Sequence, residues 1–180
     1  MHMSDSQRLK FRLMDRSDAQ HLFELDQDPE VMKYIDGGRC TSWDKIKTIL
    51  LPRMEKYRNP EKGWGIWMVS IKETNEYVGW ILVRPMHFFT ELRDDSDIEL
   101  GWRFKQLSWG KGYATEAAKK ISDELVSKNP DIKSFSAIAD PDNTASINIM
   151  EKLGMKFLKQ DIFRDPLIET EVVYYSHRVN

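Results

Sequence analysis

The sequence predicts an α+β domain, a mixed and mostly antiparallel sheet of about six or seven strands flanked by helices. Three observations predict it. Apolar strand patterns come in neighbouring pairs joined by short polar turns, as at Trp64 to Val83, which favours hairpins over a regular strand–helix repeat. A strand from Ile98 to Phe104 runs through a glycine-bearing turn into an amphipathic helix. The 180 residues, 41% hydrophobic and 31% charged, suit one soluble domain with a proper core. The whole of 1–180 is read as that domain, with an ordered core over about 8–178.

Arg8 to Met14 reads as the first strand, and Ser17 or Asp18 as the cap of a short helix ending at Leu25. Asp28-Pro29 starts another helical turn. Trp43 to Tyr57 places Ile46, Ile49, Leu50 and Met54 on one helical face, with a kink expected at Pro52. Trp64 to Ile71 and Tyr77 to Val83 are strands around the turn Glu73-Thr74-Asn75-Glu76. The helix after the glycine turn carries Tyr113, Ala117, Ile121 and Leu125 at four-residue spacing and stops at Asn129-Pro130. Phe135 to Ala139 is a strand, Thr144 to Leu153 a helix ended by Gly154, and strands follow near Met155–Phe163 and Val172–His177.

Composition excludes several function classes. One cysteine, Cys40, allows no internal disulfide and no cysteine-rich metal site. The histidines at 2, 21, 87 and 177 have no ligand spacing, so no metal is expected. A net charge of −2 argues against a nucleic-acid partner. No apolar run approaches the ~20 residues of a membrane span, and the polar start MHMSDSQRLK has no signal-peptide core, so a cytoplasmic location is expected.

Asp97 to Glu116, DIELGWRFKQLSWGKGYATE, is the densest source of chemistry. Glycines at 110 and 112 let several peptide N–H groups converge on one anion, and the helix beginning near Gly112 adds about half a positive charge. The turn is therefore a candidate phosphate cradle. A P-loop requires Gly-Lys followed by Ser or Thr, which occurs nowhere in the chain. The dinucleotide fingerprint requires a third small residue where Thr115 stands, and no acidic residue ends a strand about twenty residues further on.

Trp109-Gly110-Lys111-Gly112-Tyr113-Ala114 resembles the [Q/R]-x-x-G-x-[G/A] loop of the GNAT superfamily of N-acetyltransferases, with Trp109 in place of the usual Gln or Arg. Asp140 to Met155, DPDNTASINIMEKLGM, resembles a second signature of the branch containing the ribosomal-protein N-terminal acetyltransferases, the RimJ/RimL-like branch. There Asn143, Ser146, Lys152, Gly154 and Met155 occupy the matching positions. Asp28 to Tyr34 resembles that branch's early helix. The resemblance covers nearly the whole chain.

The resemblance implies a GNAT-type acyl-CoA N-acyltransferase fold with acetyl-CoA as cofactor. Its pantetheine arm would bond to the strand at Leu100, Gly101 and Trp102. Its diphosphate would sit on N–H groups of Trp109, Gly110, Lys111, Gly112, Tyr113, Ala114 and Thr115, with Lys111 adding charge. Asn143 is a helix cap by type and, by family position, a contact to pantetheine. Many members use a tyrosine as proton donor where this chain has Met150, a thioether without a proton to give. The branch's donor position is Ser146. Glu99, or with less support Asp97, is the expected carboxylate at the amine; Glu99 would deprotonate it, bind it or orient it.

The implied reaction is transfer of acetyl from acetyl-CoA to a primary amine by direct attack in a ternary complex, with Cys40 too far from both motifs to form a covalent intermediate. Neutralising a lysine-like amine at pH 7 costs about 4–5 kcal/mol, an α-amine about 1 kcal/mol. A single carboxylate therefore suits a protein N-terminal α-amine. The acidic residues Glu91, Asp94, Asp95, Asp97 and Glu99 would instead favour a polycation if they lined the groove. A small-molecule amine (polyamine, amino sugar or antibiotic) is the alternative acceptor, and a non-catalytic acyl-CoA sensor the alternative class. Both monomer and homodimer agree with the family.

Overall fold

The computed structural model describes residues 1–179. Strand β1 (Leu9–Leu13) precedes helices α1 (Ala19–Leu25) and α2 (Pro29–Asp36). A helical run then contains α3 (Trp43–Lys45), a π-turn over Ile46–Leu50 and α4 (Leu51–Tyr57). Strands β2 (Gly65–Ile71), β3 (Tyr77–Met86) and β4 (Asp94–Phe104) follow. Then come α5 (Tyr113–Lys128), β5 (Ser134–Ala139), α6 (Thr144–Lys152), β6 (Lys156–Asp165) and β7 (Ile168–Arg178).

The strands form one seven-stranded sheet ordered β1-β2-β3-β4-β5-β7-β6. Every neighbouring pair is antiparallel except β4 and β5. This is the expected α+β architecture, and its one parallel junction positions the site. β4 and β5 pair only at Asp97↔Ser134, Ile98↔Phe135 and Glu99↔Ser136. Beyond that point β4 continues to Phe104, while β5 stays registered on β7 as far as Ala139↔Val173. The two strands diverge into a V.

Each face of the sheet has its own core. Ala117, Ile121 and Leu125 of α5 are fully buried against Ile98, Leu100 and Phe104, as their four-residue spacing requires. On the other face Leu22, Leu25, Ile46 and Met54 of the helices before β2 pack on Ile66 and Met68. Adding one residue to β4 moves a side chain between these faces, so Glu99 and Leu100 serve opposite cores.

Several expected boundaries are corrected. Asp18 stands at the N-cap of α1, as expected, but its side chain serves the 3-10 turn Arg16–Asp18 before it, which Asp15 caps by accepting from the Ser17 amide at 2.8 Å. Pro52 does not kink a regular helix. It lies in the first turn of α4, where its missing N–H is harmless, and the widened turn before it lets the Leu51 amide bond to the Ile46 carbonyl. β4 begins at Asp94 rather than Ile98, so part of the acidic segment is strand. β3, β6 and β7 also run longer than expected, because cross-strand pairing carries polar residues that apolar patterning leaves out. Among the described residues, no helix is long and apolar enough to cross a membrane.

Candidate active site

The turn between β4 and α5 has the geometry of an anion cradle. Gly110 (φ 74°) and Gly112 (φ 78°) lie in the left-handed region, and a Cβ at Gly110 would meet nothing within 4 Å. Gly112 is the N-cap of α5 and supplies no side-chain acceptor, so the first helical amides remain available to a ligand. Lys111 is exposed, while Tyr113, Ala114 and Thr115 form the half-buried first turn. Trp109 is 46% exposed, and its indole N–H donates to the Phe104 carbonyl at 2.8 Å, pinning the loop onto the end of β4.

Sequence reasoning missed the residue that steadies this cradle. Arg8 donates to the Lys111 carbonyl at 2.9 Å and to Glu116 at 2.7 Å, with its guanidinium 4.7 Å from the Tyr113 ring centre. Burial pushes the Glu116 carboxyl up, but hydrogen bonds from Ser6 and Arg8 and the Arg8 charge outweigh it, so its pKa is lowered. The carboxylate in the first turn of α5 is thereby offset by a cation. Nothing in the local motif marks Arg8, because 108 positions separate the two partners in the sequence.

The V carries the second set of groups. From Leu100 onward β4 has no register partner in β5, so within Leu100, Gly101 and Trp102 the backbone groups that do not bond to β3 face the opening. Across it, Asn143 caps α6 by accepting from the Ser146 amide at 3.1 Å, which leaves its NH2 group free to turn into the V. The Trp102 indole N–H donates to the Ser146 hydroxyl at 3.0 Å. That bond fills an acceptor position on Ser146 and orients its hydroxyl. Among the described residues, no protein group accepts the Ser146 proton. Met150, in the position where many GNAT members carry tyrosine, is fully buried.

Glu99 closes the V from the other face. It is 4% exposed, and Arg84 on β3 donates to both of its oxygens, at 2.8 and 3.1 Å. Burial opposes the Arg84 charge, but the attraction and hydrogen bonds of Glu99 prevail, so the guanidinium is held above its ordinary pKa. The two bonds take one acceptor site on each Glu99 oxygen and turn the carboxylate toward Arg84. Tyr57 lies beside the pair, 5.5 Å from ring centre to guanidinium, and burial pushes its hydroxyl up to about 12. Asp97, the other sequence candidate, is half-buried and takes both hydrogen bonds from Ser136, at 2.9 and 2.8 Å.

The rest of the acidic segment lies at the surface. Asp95 pairs with Arg93 at 2.6 Å and faces Lys62, Asp94 accepts from Ser96, and Glu91 is exposed. Among the described residues, no group of three or more His, Cys, Asp or Glu side chains is placed to hold a metal.

A glycine cradle at a helix N-terminus, opening into a split parallel strand pair, is an arrangement suited to an extended anionic ligand. The chain belongs to the GNAT acetyltransferase family, whose acetyltransferase domain model matches residues 8–156. YkkB of Bacillus subtilis is 34% identical over 155 residues, covering 84% of each chain. Among solved structures, RimL, a ribosomal alpha-N-protein acetyltransferase in complex with coenzyme A, superposes with a TM-score of 0.74 at 14% identity, covering 99% of this chain and 98% of that one. An aminoglycoside acetyltransferase in complex with coenzyme A gives 0.73 at 16% identity, covering 94% of each. These two likenesses concern the fold. Acetyl-CoA is the acyl donor of the family.

Proposed function

We propose that the protein transfers acetyl from acetyl-CoA to a primary amine by direct attack in a ternary complex, and that the acceptor is a protein N-terminal α-amine. The observation that carries the reaction is the V, which brings unpaired β4 backbone, the cradle and the head of α6 to one opening. Bound there, acetyl-CoA supplies the activated acetyl group.

The chain's own residues divide the work. Amides from Gly110 to Thr115 bind the diphosphate, with Trp109 setting the loop and Lys111 adding charge. Backbone groups of Leu100, Gly101 and Trp102 take the place of a missing strand partner along the pantetheine arm, and the Asn143 amide reaches the same arm. Ser146, held by Trp102, presents its hydroxyl proton toward the departing sulfur. A serine hydroxyl is a weak acid, so it relays a proton rather than giving one up outright. Glu99 fixes Arg84 and thereby the electrostatics at the base of the V.

The choice of α-amine rests on charge. The fold is shared by enzymes named for protein α-amines and for aminoglycosides, so it does not choose. What supports an α-amine is the pairing of Asp95 with Arg93 and Lys62, which weakens the pull of the acidic segment on a polycation. An α-amine needs only about 1 kcal/mol to become neutral at pH 7, which a single carboxylate can meet. The test is acetyl-CoA-dependent thiol release over N-terminal peptides, polyamines, amino acids and amino sugars. Turnover confined to peptides supports the reading, turnover confined to polyamines or amino sugars replaces it, and stabilisation by acetyl-CoA with no turnover indicates a sensor.

A further inference from the structure

We infer that Arg8 is a positioning residue for the acyl donor: it sets the Lys111–Gly112 peptide so that the Gly112 N–H faces the donor's diphosphate. The inference rests on the acetyltransferase reading above. Two carbonyls of the cradle are held from behind. The Lys111 carbonyl accepts from Arg8 Nη1 at 2.9 Å, and the Gly112 carbonyl accepts from the Glu116 amide at 3.0 Å. In a trans peptide the C=O and the following N–H point in opposite directions, and among the described residues no peptide bond is cis. Fixing those two oxygens therefore turns the Gly112 and Tyr113 amides to the other side of the turn. Among the described residues, the Gly110, Lys111 and Gly112 amides donate to no protein acceptor, so they are available to an anion.

The turn needs such a hold. Gly110 and Gly112 give it two freely rotating backbone positions, and a Cβ at Gly110 would meet nothing within 4 Å, so no packing supports the tip. Arg8 supplies the support from a distant strand. It stands immediately before β1, and its planar fork spans two acceptors: Nε donates to Glu116 at 2.7 Å while Nη1 takes the Lys111 carbonyl. A lysine ammonium is a point charge and does not hold two such acceptors in one plane. Glu116 is anchored to the same stretch of chain by the Arg8 backbone amide at 2.9 Å and the Ser6 hydroxyl at 2.7 Å. The Tyr113 ring covers the guanidinium at 4.7 Å, and a Cβ at Gly112 would lie 3.5 Å from Arg8 Nη2, which places the fork directly behind the turn. Orienting the peptide before the donor arrives lowers the ordering cost of binding.

The experiment compares the full-length chain with Arg8→Lys and Arg8→Met. Affinity for acetyl-CoA is measured by calorimetry, and melting temperature alongside it. Thiol release is followed with acetyl-CoA and with S-acetylpantetheine, a thioester donor that lacks the diphosphate. The NMR signal of the Gly112 amide is followed during titration with acetyl-CoA. Both variants are expected to bind acetyl-CoA about tenfold more weakly, in line with the loss of one charge-assisted hydrogen bond. The loss should fall on KM for acetyl-CoA rather than on kcat, and kcat/KM for S-acetylpantetheine should stay within about twofold of wild type. Acetyl-CoA should shift the Gly112 signal strongly in wild type and weakly in both variants. Melting should change little, because the Arg8 side chain is 44% exposed and Glu116 keeps Ser6 and the backbone amide at position 8 as donors.

Arg8→Lys with wild-type affinity assigns the effect to charge alone and overturns the inference. Equal losses with the two donors also overturn it, because they mark a general disturbance of the fold. Donor affinity and the Gly112 signal are read without an acceptor, so either failure leaves the acetyltransferase reading standing. If wild type binds no acetyl-CoA, that reading falls and takes this inference with it.

Discussion

Glu99→Gln keeps the shape of the side chain and removes its charge, leaving Arg84 as a cation 9% exposed with no counterion. Arginine does not escape by deprotonating. Breaking a buried pair from one side costs about 3–5 kcal/mol, mostly the penalty of the stranded charge. At ~2–4 °C per kcal/mol for a chain of this size, melting should fall by about 6–20 °C. The companion is the double variant Glu99→Leu with Arg84→Met, which removes both charges and should recover most of the loss. Urea unfolding followed by circular dichroism at neutral pH measures all three proteins. A single-variant loss under about 1 kcal/mol would place the pair among exposed bridges and refute the argument. So would a double variant no more stable than Glu99→Gln, because removing both charges should relieve the stranded one.

Three further outcomes are expected. Gly110→Ala puts a side chain at φ 74°, costing about 1–2 kcal/mol in unfolding, and sets a methyl where phosphate approaches; calorimetry should show acetyl-CoA affinity down at least about tenfold. Ser146→Ala removes the relay and leaves the Trp102 indole without its acceptor, so steady-state kinetics should show kcat reduced about 10²-fold with little change in KM for acetyl-CoA. Glu124 is held down to about 2 by hydrogen bonds from Lys128, Ser4 and Lys120. A depressed carboxylate stabilises the fold above its unfolded pKa and loses that contribution as pH falls through the folded one. Glu124→Gln should therefore flatten the melting-temperature profile between about pH 4.5 and 2.

Much of the fold was legible because its signals are local. The four-residue spacing of Ala117, Ile121 and Leu125 predicted the face of α5 that is buried, and Gly154 the end of α6. Where pairing overrides patterning, the reading fell short: Asp94 to Asp97 are polar, yet they are strand because β3 and β5 hold them. Pro52 was read as a kink because the compensating π-turn before it has no sequence signature.

The sequence by itself determined the cradle, the cap of α6 and the absence of a tyrosine at 150. Each is a matter of spacing within a few residues, where the backbone has little choice. Tertiary structure alone decided the state of each charge. Arg84 meets Glu99 through the β3–β4 register, Ser136 meets Asp97 across the parallel junction, and Arg8 meets Glu116 from 108 positions away in the sequence. A carboxylate's chemistry depends on which cation reaches it and how much water is removed, and both are properties of packing rather than of the neighbouring letters.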